Sequence, residues 1–535
     1  MHIIKICHID NIKKALYLHI LNICHIFAPV IETNSRLLIH QTTHLKQLIM
    51  ARKVKVLIEN GVDKREVGYY STPNFVSQYL SSQMLKISPN GKFVLDPAVG
   101  KEELVDIFHS QNKLIDSFDI VRHCENYKSN FQQMNFIDFY DSLKNDAIMG
   151  KSIDSKYDYI IANPPYNCHE VSYIKDNKKW LNSIFQVGAY NMYSMFLSAM
   201  IDMAKDGCLI GVIISDSFLT SSVHNKLREQ IFSTCSIHQL ILCPTDLFWS
   251  QKADVRTCIL ILQKGTQYQK NIKISNRPKN AADLKDILEN QRLKEVTINH
   301  LRLSSKPNLN QILIDVDDSI ISLFNTYKSL GDVFKCVTCI STGDDKKYLS
   351  KESKKGFSIP FYKNPAKRKF VTEADAYLID HYMEESLVVK DFMVRNKPLL
   401  CNEGIVCSSM GLPFSAAYLP AEAVTGVNPT IFPPTIDINW MLAYLNSSLV
   451  TYLVRGVLIR SNMVTSGYVN CIPLISLSEE EKIELGDIAS KVRKNKMSVD
   501  SAIIATDNII FSKNIFPNAV VKQIKDFSAN IGKSV

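Results

Sequence analysis

Short apolar runs alternate with amphipathic stretches between about residues 68 and 265. The apolar runs, which are typical of buried strands, lie at 93–96, 114–119, 157–162, 208–215, 237–243 and 255–263. β-Branched and aromatic residues dominate them, as expected for strands that are covered on both faces. Amphipathic stretches that predict helices lie at 75–85, 102–111, 192–204 and 223–232. This alternation predicts an α/β fold whose mostly parallel sheet of about seven strands ends in a β-hairpin.

The hydrophobic pattern changes after residue 265 and predicts a division into domains. Residues 266–330 are polar and rich in Asn and Lys, which indicates a connector. From residue 331 onward, short apolar segments alternate with turn residues and basic clusters, and helices are predicted at 439–454 and 476–496. The predicted units are an extension at 1–49, an α/β domain at 50–265, the connector at 266–330, a mixed α/β region at 331–500 and a tail at 501–535. Polar residues 167–191 predict a loop over the α/β domain.

Residues 1–49 have a different pattern from the rest of the chain. Their apolar run at 15–31 is interrupted by His19, Asn22 and His25, which makes it too polar for a signal peptide or a membrane span. A more regular sequence starts at Met50. We therefore expect Met50 to be the natural start, and mass spectrometry that finds peptides from residues 1–49 in the native protein would contradict this expectation.

Composition and charge add broad limits. With 535 residues, the chain is long enough for two or three domains. Its formal net charge of +9 is compatible with a polyanionic partner, and the sequence predicts no membrane partner. The 13 Cys form no disulfide framework, which favours a reducing, cytoplasmic environment. Cys336 and Cys339 have the spacing of half a zinc site, but no His completes it, so we predict buried cysteines and no metal.

The apolar run at 157–162 ends in Asn163-Pro164-Pro165-Tyr166. Two prolines cannot continue a central strand, so the chain must leave the sheet at this point, where open α/β sheets bind their ligands. Asn163 offers an amide oxygen, Pro164 a carbonyl group and Tyr166 a flat π-face. This set suits a planar ring that carries an exocyclic amino group. The simpler interpretation is an ordinary turn, since Asn-Pro and Pro-Pro are common in loops.

Acidic residues end the neighbouring predicted strands. Asp96 precedes a turn that contains Gly100, and a helix is predicted directly after this turn. Such a turn lets a ligand approach the backbone at a helix N-terminus. Asp119 ends the next strand, at a spacing typical of a carboxylate that holds ribose hydroxyls. Asp138 and Phe139 supply a further acid–aromatic pair. In this order, the residues indicate a nucleoside-binding site.

The order of these motifs resembles that of the adenine-N6 DNA methyltransferases of restriction–modification systems, in the arrangement of the TaqI-like enzymes. The resemblance is specific from residue 68 to residue 265 and looser from 331 to 494. It implies a Rossmann-like sheet that binds S-adenosyl-L-methionine (AdoMet), followed by a C-terminal target-recognition domain. It also implies double-stranded DNA as the partner and a cognate restriction endonuclease as a second candidate partner. The target adenine would be flipped out of the duplex, and its N6 would attack the AdoMet methyl group.

The resemblance also implies roles for single residues. Asn163, Pro164, Pro165 and Tyr166 would form the catalytic motif, and Tyr166 and Phe248 would stack on the flipped base. The residues that the resemblance places around the cofactor are Thr72, Asp96, Ala98, Gly100, Asp119, Ile120, Asp138, Phe139 and Phe196.

The glycine turn departs from the family pattern. A second small residue usually follows Gly100, whereas the sequence here is Gly100-Lys101-Glu102-Glu103. Either Glu102 starts the following helix and points away from the cofactor, or its carboxylate weakens cofactor binding.

Other functions are compatible with the same motifs. Protein-glutamine and some rRNA methyltransferases use the same Asn-Pro-Pro-Tyr turn, although they rarely carry so long a C-terminal region. A catalytically inactive binding module would fit the altered glycine turn. We interpret the basic clusters after residue 331 as DNA-binding, but the region could instead be a structural or oligomerisation domain. The short N-terminal segment and the large C-terminal region favour a self-sufficient enzyme over the modification subunit of a larger complex.

Overall fold

The computed structural model describes residues 70–149, 155–166, 171–249, 255–268, 271–303, 310–314, 316–365, 368–459 and 463–531. The expectations about residues 1–49 and about Met50 lie outside these ranges. Residues Gly68–Val535 belong to one compact unit.

Nine strands form one large sheet in the order β3-β2-β1-β4-β5-β7-β6-β8-β9. The strands are β1 (Phe93–Asp96), β2 (Leu114–Asp119), β3 (Asn130–Gln133), β4 (Tyr159–Ala162), β5 (Leu209–Ser215), β6 (Cys235–Leu242), β7 (Thr257–Lys264), β8 (Asn271–Ser275) and β9 (Lys294–Thr297). Strands β1 to β5 pair in parallel, whereas β7 is antiparallel to both β5 and β6. The structure thus confirms the predicted α/β fold with its C-terminal hairpin.

Helices cover both faces of this sheet. They are α1 (Asn74–Ile87), α2 (Asp106–Ser110), α3 (Phe136–Ile148), α4 (Ser172–Ile184), α5 (Met192–Met203), α6 (Asn225–Thr234) and α7 (Ala281–Glu289). Alternate residues of β4 enter different cores: Tyr159 and Ile161 pack with α1, α2 and α7, whereas Ile160 and Ala162 pack with α3 to α6. Both faces of β4 are therefore buried, which explains its unbroken apolar sequence.

Two parts of the α/β region differ from the sequence prediction. Residues 271–297, predicted as part of a polar connector, add β8 and β9 to the sheet edge. Arg277, which follows β8, pairs with the buried carboxylate of Asp216 after β5 and so ties this edge to the central strands. The predicted loop at 167–191 contains α4, whose Ile174, Leu181 and Ile184 form one buried stripe. The Lys and Asn residues of its exposed face conceal this helix in the sequence.

The C-terminal region combines small sheets with helices. Its sheets have the orders β10-β19-β16-β17, β11-β15 and β12-β14-β13-β18. The strands are β10 (Cys336–Val337), β11 (Ile340–Ser341), β12 (Leu349–Ser350), β13 (Ile359–Tyr362), β14 (Ala376–Leu378), β15 (Met393–Val394), β16 (Gly404–Cys407), β17 (Ala416–Leu419), β18 (Val424–Thr425) and β19 (Thr430–Ile431). The helices are α8 (Asp318–Thr326), α9 (Leu330–Val333), α10 (Asp345–Tyr348), α11 (Tyr382–Val388), α12 (Thr435–Leu445), α13 (Ser448–Tyr452), α14 (Ser466–Asn470), α15 (Glu479–Arg493), α16 (Val499–Phe511) and α17 (Asn518–Asn530).

The last two helices belong to the C-terminal core. Residues 501–535 are predicted as a tail, but Ile510 of α16 and Ile524 of α17 are buried in the same cluster as α12 and α15. Among the described residues, no single helix is long and apolar enough to cross a membrane; one pair, Thr435–Leu445 with Ser448–Leu458, meets the criteria only jointly and is bent by 66°.

Candidate active site

Asn163 lies at the carboxyl end of β4, and three hydrogen bonds fix its side chain. Its Nδ2 donates to the backbone carbonyl of Tyr70 at 2.9 Å and to Thr72 Oγ1 at 3.0 Å. Its Oδ1 accepts a hydrogen bond from the Tyr166 hydroxyl at 2.6 Å. Because both N–H groups are engaged by acceptors, the amide orientation is unambiguous: Oδ1 is the atom that faces Tyr166.

Tyr166 is half-buried and its hydroxyl lies in the interior. Besides Asn163 Oδ1, the hydroxyl also lies 3.0 Å from the carbonyl oxygen of Ile213 in β5. Burial raises the pKa of Tyr166 well above its ordinary value, so the hydroxyl keeps its proton and acts as a donor. The hydroxyl therefore uses the acceptor that the sequence assigns to a substrate amino group.

Three aromatic rings meet next to Asn163. The ring centroid of Tyr166 lies 5.8 Å from that of Tyr70 and 6.2 Å from that of Phe248, and the Tyr70 and Phe248 centroids are 6.1 Å apart. Phe248 is only 1% exposed. The structure thus brings together both predicted base-stacking residues. It adds Tyr70, which the sequence did not single out because it lies 93 residues before Asn163.

Asp96 ends β1, which is adjacent to β4, and Asp119 ends β2, the next strand of the sheet. Asp119 accepts hydrogen bonds from the backbone N–H groups of Gly100 and Val121, both at 3.0 Å. Gly100 has a φ of 55°, a left-handed conformation that Gly adopts without steric cost. Asp119 therefore holds the glycine turn closed, a role that the sequence did not show. Its predicted role toward a ribose remains a prediction.

Asp96 is completely buried. Its Oδ1 accepts a hydrogen bond from the backbone N–H of Ala98 at 3.0 Å, whereas Oδ2 has no hydrogen-bond partner within the described ranges. Burial raises the pKa of Asp96 well above its ordinary value, and the nearby acidic groups Asp119, Glu103 and Glu102 act in the same direction. A buried carboxylate oxygen in this state suits a ligand that brings a positive charge.

The two glutamates of the glycine turn have defined partners. Glu102 adopts a φ of 65°, and its carboxylate accepts hydrogen bonds from the backbone N–H groups of Lys128 and Ser129 at 3.0 and 2.9 Å. Partial burial acts to raise the pKa of Glu102, but these hydrogen bonds outweigh it and lower the pKa. Glu103 accepts a hydrogen bond from the Ser71 hydroxyl at 2.7 Å. The helix predicted from residue 102 begins instead at Asp106, and Glu102 is held by the segment before β3.

The predicted acid–aromatic pair occupies a helix and not a strand end. Asp138 and Phe139 lie in the first turn of α3, and the Asp138 side chain is exposed. Asn135 lies two residues after the end of β3, where it caps α3 by accepting a hydrogen bond from the N–H of Ile137. Phe136 follows and packs against Phe196, with ring centroids 5.0 Å apart. Asn135 and Phe136 thus form a second polar–aromatic pair, three residues earlier and nearer to β3, and the role of Asp138 and Phe139 stays a prediction.

The remaining predicted cofactor residues lie at the same edge of the sheet. Thr72 is 5% exposed and contacts Asn163, whereas Ile120 is 50% exposed directly after Asp119. Cys336 and Cys339 are buried in different hydrophobic clusters. No group of three or more His, Cys, Asp or Glu residues in the described part of the chain is arranged to hold a metal ion.

Comparisons with known proteins find similarity to DNA methyltransferases. Residues 56–303 match the family model described as N-6 DNA Methylase. The Type II methyltransferase M.BsuBI of Bacillus subtilis is 26% identical over 251 residues, which cover 42% of this chain and 48% of that protein. The Type II methyltransferase M.BanIII of Aneurinibacillus aneurinilyticus is 26% identical over 216 residues, covering 35% and 37%. The chain thus spans about half or less of the length of these curated relatives.

Solved structures share the fold over a longer range. The Type IIL restriction-modification enzyme MmeI in complex with DNA matches with a TM-score of 0.55 at 12% identity, covering 88% of this chain and 79% of that chain. The DrdV–DNA complex matches with a TM-score of 0.51 at 11% identity, covering 80% and 57%. At these identities the likeness shows the fold alone. The fold of the α/β region and most of the C-terminal region is therefore one that occurs in restriction–modification enzymes.

Proposed function

We propose that this protein transfers a methyl group from AdoMet to N6 of adenine in double-stranded DNA, as a TaqI-like enzyme of a restriction–modification system. The observation that carries the proposal is the fixed orientation of Asn163. Its two N–H groups are bound by Tyr70 and Thr72, so only Oδ1 faces the substrate side. The acceptor is therefore set before the base arrives, which is how positioning lowers a barrier.

An adenine amino group needs two acceptors in this site. Its nitrogen lone pair is delocalised into the ring, which makes it a poor nucleophile. Hydrogen bonds from N6 to Asn163 Oδ1 and to the Pro164 carbonyl draw the nitrogen toward a tetrahedral geometry, in which the lone pair can attack. The Tyr166 hydroxyl must leave Asn163 Oδ1 for this to happen, and the base then stacks on the rings of Tyr166 and Phe248. A base inside a duplex cannot reach these groups, so the proposal includes base flipping.

The residues at the strand ends fit AdoMet. Oδ2 of buried Asp96, which has no hydrogen-bond partner among the described residues, matches the ammonium group of the methionine part, and the Gly100 turn leaves room for backbone contact. Exposed Ile120 offers apolar surface to the adenine ring, and Asp119 offers an acceptor to the ribose. Phe136 and Asn135, in place of Asp138 and Phe139, would border the adenine edge. When bound, AdoMet supplies an electrophilic methyl group on a positively charged sulfur.

The C-terminal region is proposed to bind the DNA target. Its basic side chains after residue 345 suit phosphates, which provide affinity, while loops between its short strands suit base edges, which provide specificity. The structurally similar MmeI, which is named as a restriction-modification enzyme in complex with DNA, supports this assignment and makes a cognate endonuclease a candidate partner.

The proposal is tested by expressing the chain in cells that lack adenine methylation and sequencing their DNA for modified bases. We expect N6-methyladenine at one short sequence motif in cells that carry the wild-type chain and none in cells that carry Asn163→Ala. Unmodified DNA together with methylated glutamine in a protein, or a methylated base in rRNA, would replace the proposal with one of the other functions that use the same turn.

A further inference from the structure

Thr72 contacts the side chain of Asn163, and we infer that it is a positioning residue for the methyl transfer proposed above, on which this inference rests. The Thr72 hydroxyl oxygen accepts one N–H of the Asn163 amide at 3.0 Å, and the Tyr70 carbonyl accepts the other at 2.9 Å. Of these two groups, only the hydroxyl of Thr72 belongs to a side chain. The side chain at position 72 therefore determines one of the two hydrogen bonds that orient the amide nitrogen of Asn163.

The orientation of the amide decides whether Asn163 can bind an amino group. If the amide turned over, Oδ1 would face the Tyr70 carbonyl, so that two acceptors would lie opposite each other without a proton between them. The Nδ2 group would then face the substrate amino group, and two donors would meet. Adenine N6 can donate to Asn163 only in the orientation that Thr72 and Tyr70 select.

The segment that carries Thr72 is itself held in place on both sides. On one side, Ser71 Oγ donates a hydrogen bond to Glu103 at 2.7 Å, which joins the segment to the glycine turn. On the other side, Pro73 precedes α1, and its carbonyl accepts hydrogen bonds from the N–H groups of Val76 and Ser77 at 2.9 and 3.1 Å. Thr72 is 5% exposed, so water has little access to its hydroxyl. The acidic glycine turn thus helps to fix the residue that orients Asn163.

The test compares Thr72→Val with Thr72→Ser in the full-length chain. Val keeps the shape of Thr but removes the acceptor, whereas Ser keeps the hydroxyl. At saturating AdoMet, we expect Thr72→Val to lower kcat for DNA adenine methylation about tenfold, a change that corresponds to about 1.4 kcal/mol of barrier. Thr72→Ser should retain most of the wild-type kcat. Saturating AdoMet removes any effect of the substitution on cofactor affinity from the comparison.

Thr234→Val is the matched control. The Thr234 hydroxyl donates to the carbonyl of Gln230 at 2.7 Å within α6 and lies 3.6 Å from Cys235 Sγ, so this variant loses internal hydroxyl contacts outside the site. We expect its kcat to equal that of the wild type. A kcat of Thr72→Val within twofold of the wild type, or an equal loss in Thr72→Ser, would overturn the inference.

A double-mutant cycle provides a readout that does not depend on activity. The unfolding free energies of Thr72→Val, Asn163→Ala and the double variant are measured, and contacting residues are expected to give a non-additive sum. Additive changes in the unfolding free energy would overturn the inference even if Thr72→Val lowers kcat. Absence of adenine methylation by the wild-type chain would instead overturn the proposed function, and the cycle would still report the contact, so the two failures can be distinguished.

Discussion

In the proposed mechanism, the Tyr166 hydroxyl occupies the acceptor that would bind the substrate amino group, and its removal should favour base binding. It lies 2.6 Å from Asn163 Oδ1 and 3.0 Å from the Ile213 carbonyl oxygen. A flipped base must break the first of these contacts before N6 can donate to the same oxygen. A hydrogen bond between neutral groups contributes about 1 kcal/mol net, so Tyr166→Phe should bind the flipped base roughly fivefold more tightly.

Tyr166→Ala separates the hydroxyl from the ring. Loss of the ring removes stacking, which contributes about 1–3 kcal/mol per base, so this variant should bind the flipped base more weakly than the wild type. The assay is the fluorescence of 2-aminopurine placed at the methylated position of a duplex that carries the identified target sequence. Tyr157→Phe is the control, because its hydroxyl donates to Asp116 at 2.9 Å near the opposite end of β4. Equal weakening by Tyr166→Phe and Tyr166→Ala would refute the reasoning.

Three further predictions concern buried charges. Asp119→Ala removes the acceptor for Gly100 and Val121, and we expect calorimetry to show AdoMet binding weakened by about 1.5–3 kcal/mol; unchanged affinity would mean that the wrong acid was chosen. Burial raises the pKa of Asp96, so its carboxyl group should release a proton when it pairs with the AdoMet ammonium group, and the affinity of the wild type for AdoMet should rise with pH. An equal rise of AdoMet affinity in Asp96→Asn would exclude Asp96 as the source of this pH dependence. Burial lowers the pKa of Lys369 from 10.5 to about 8, so between these pH values the unfolded chain binds a proton that the folded chain has already lost. The free energy of unfolding should therefore rise with pH across this window, by up to roughly 3 kcal/mol more than in Lys369→Met. An equal pH dependence of the unfolding free energy in both proteins would contradict this cause.

The sequence predicts the centre of the sheet well because physical signals coincide there. β4 is apolar on both faces, since its residues enter two different cores, and two prolines mark where it must end. The adjacent strand β1 and the strand beyond it, β2, each end in an acid. The positions of Asn163, Asp96 and Asp119 at one edge of the sheet follow from these signals alone.

The outer strands of the sheet are harder to predict from the sequence because they bury less apolar surface. β3 consists of Asn130–Gln133 and is mostly exposed, so the sequence did not predict it. The predicted pair, Asp138 and Phe139, lies in the helix that follows this strand. β9 is likewise mostly exposed. Its polar sequence therefore indicated a connector.

The contacts that orient the site are invisible in the sequence for a different reason. Tyr70 and Thr72 meet Asn163 across 93 and 91 residues. No local pattern encodes such a pairing, because it arises only when the sheet has formed. The positioning role of Thr72 and the roles of Glu102 and Glu103 therefore required the structure.

The most direct test of the central claim is a methyl-transfer assay with purified protein. Wild-type chain and Asn163→Ala are incubated with duplex DNA and AdoMet that carries a deuterated methyl group, and the digested nucleosides are analysed by mass spectrometry. We predict deuterated N6-methyladenine with the wild type and a loss of at least about a thousandfold with Asn163→Ala, equivalent to about 4 kcal/mol, while AdoMet binding is retained. Label on another base, no label in DNA, or Asn163→Ala activity within about tenfold of the wild type would contradict the proposed chemistry.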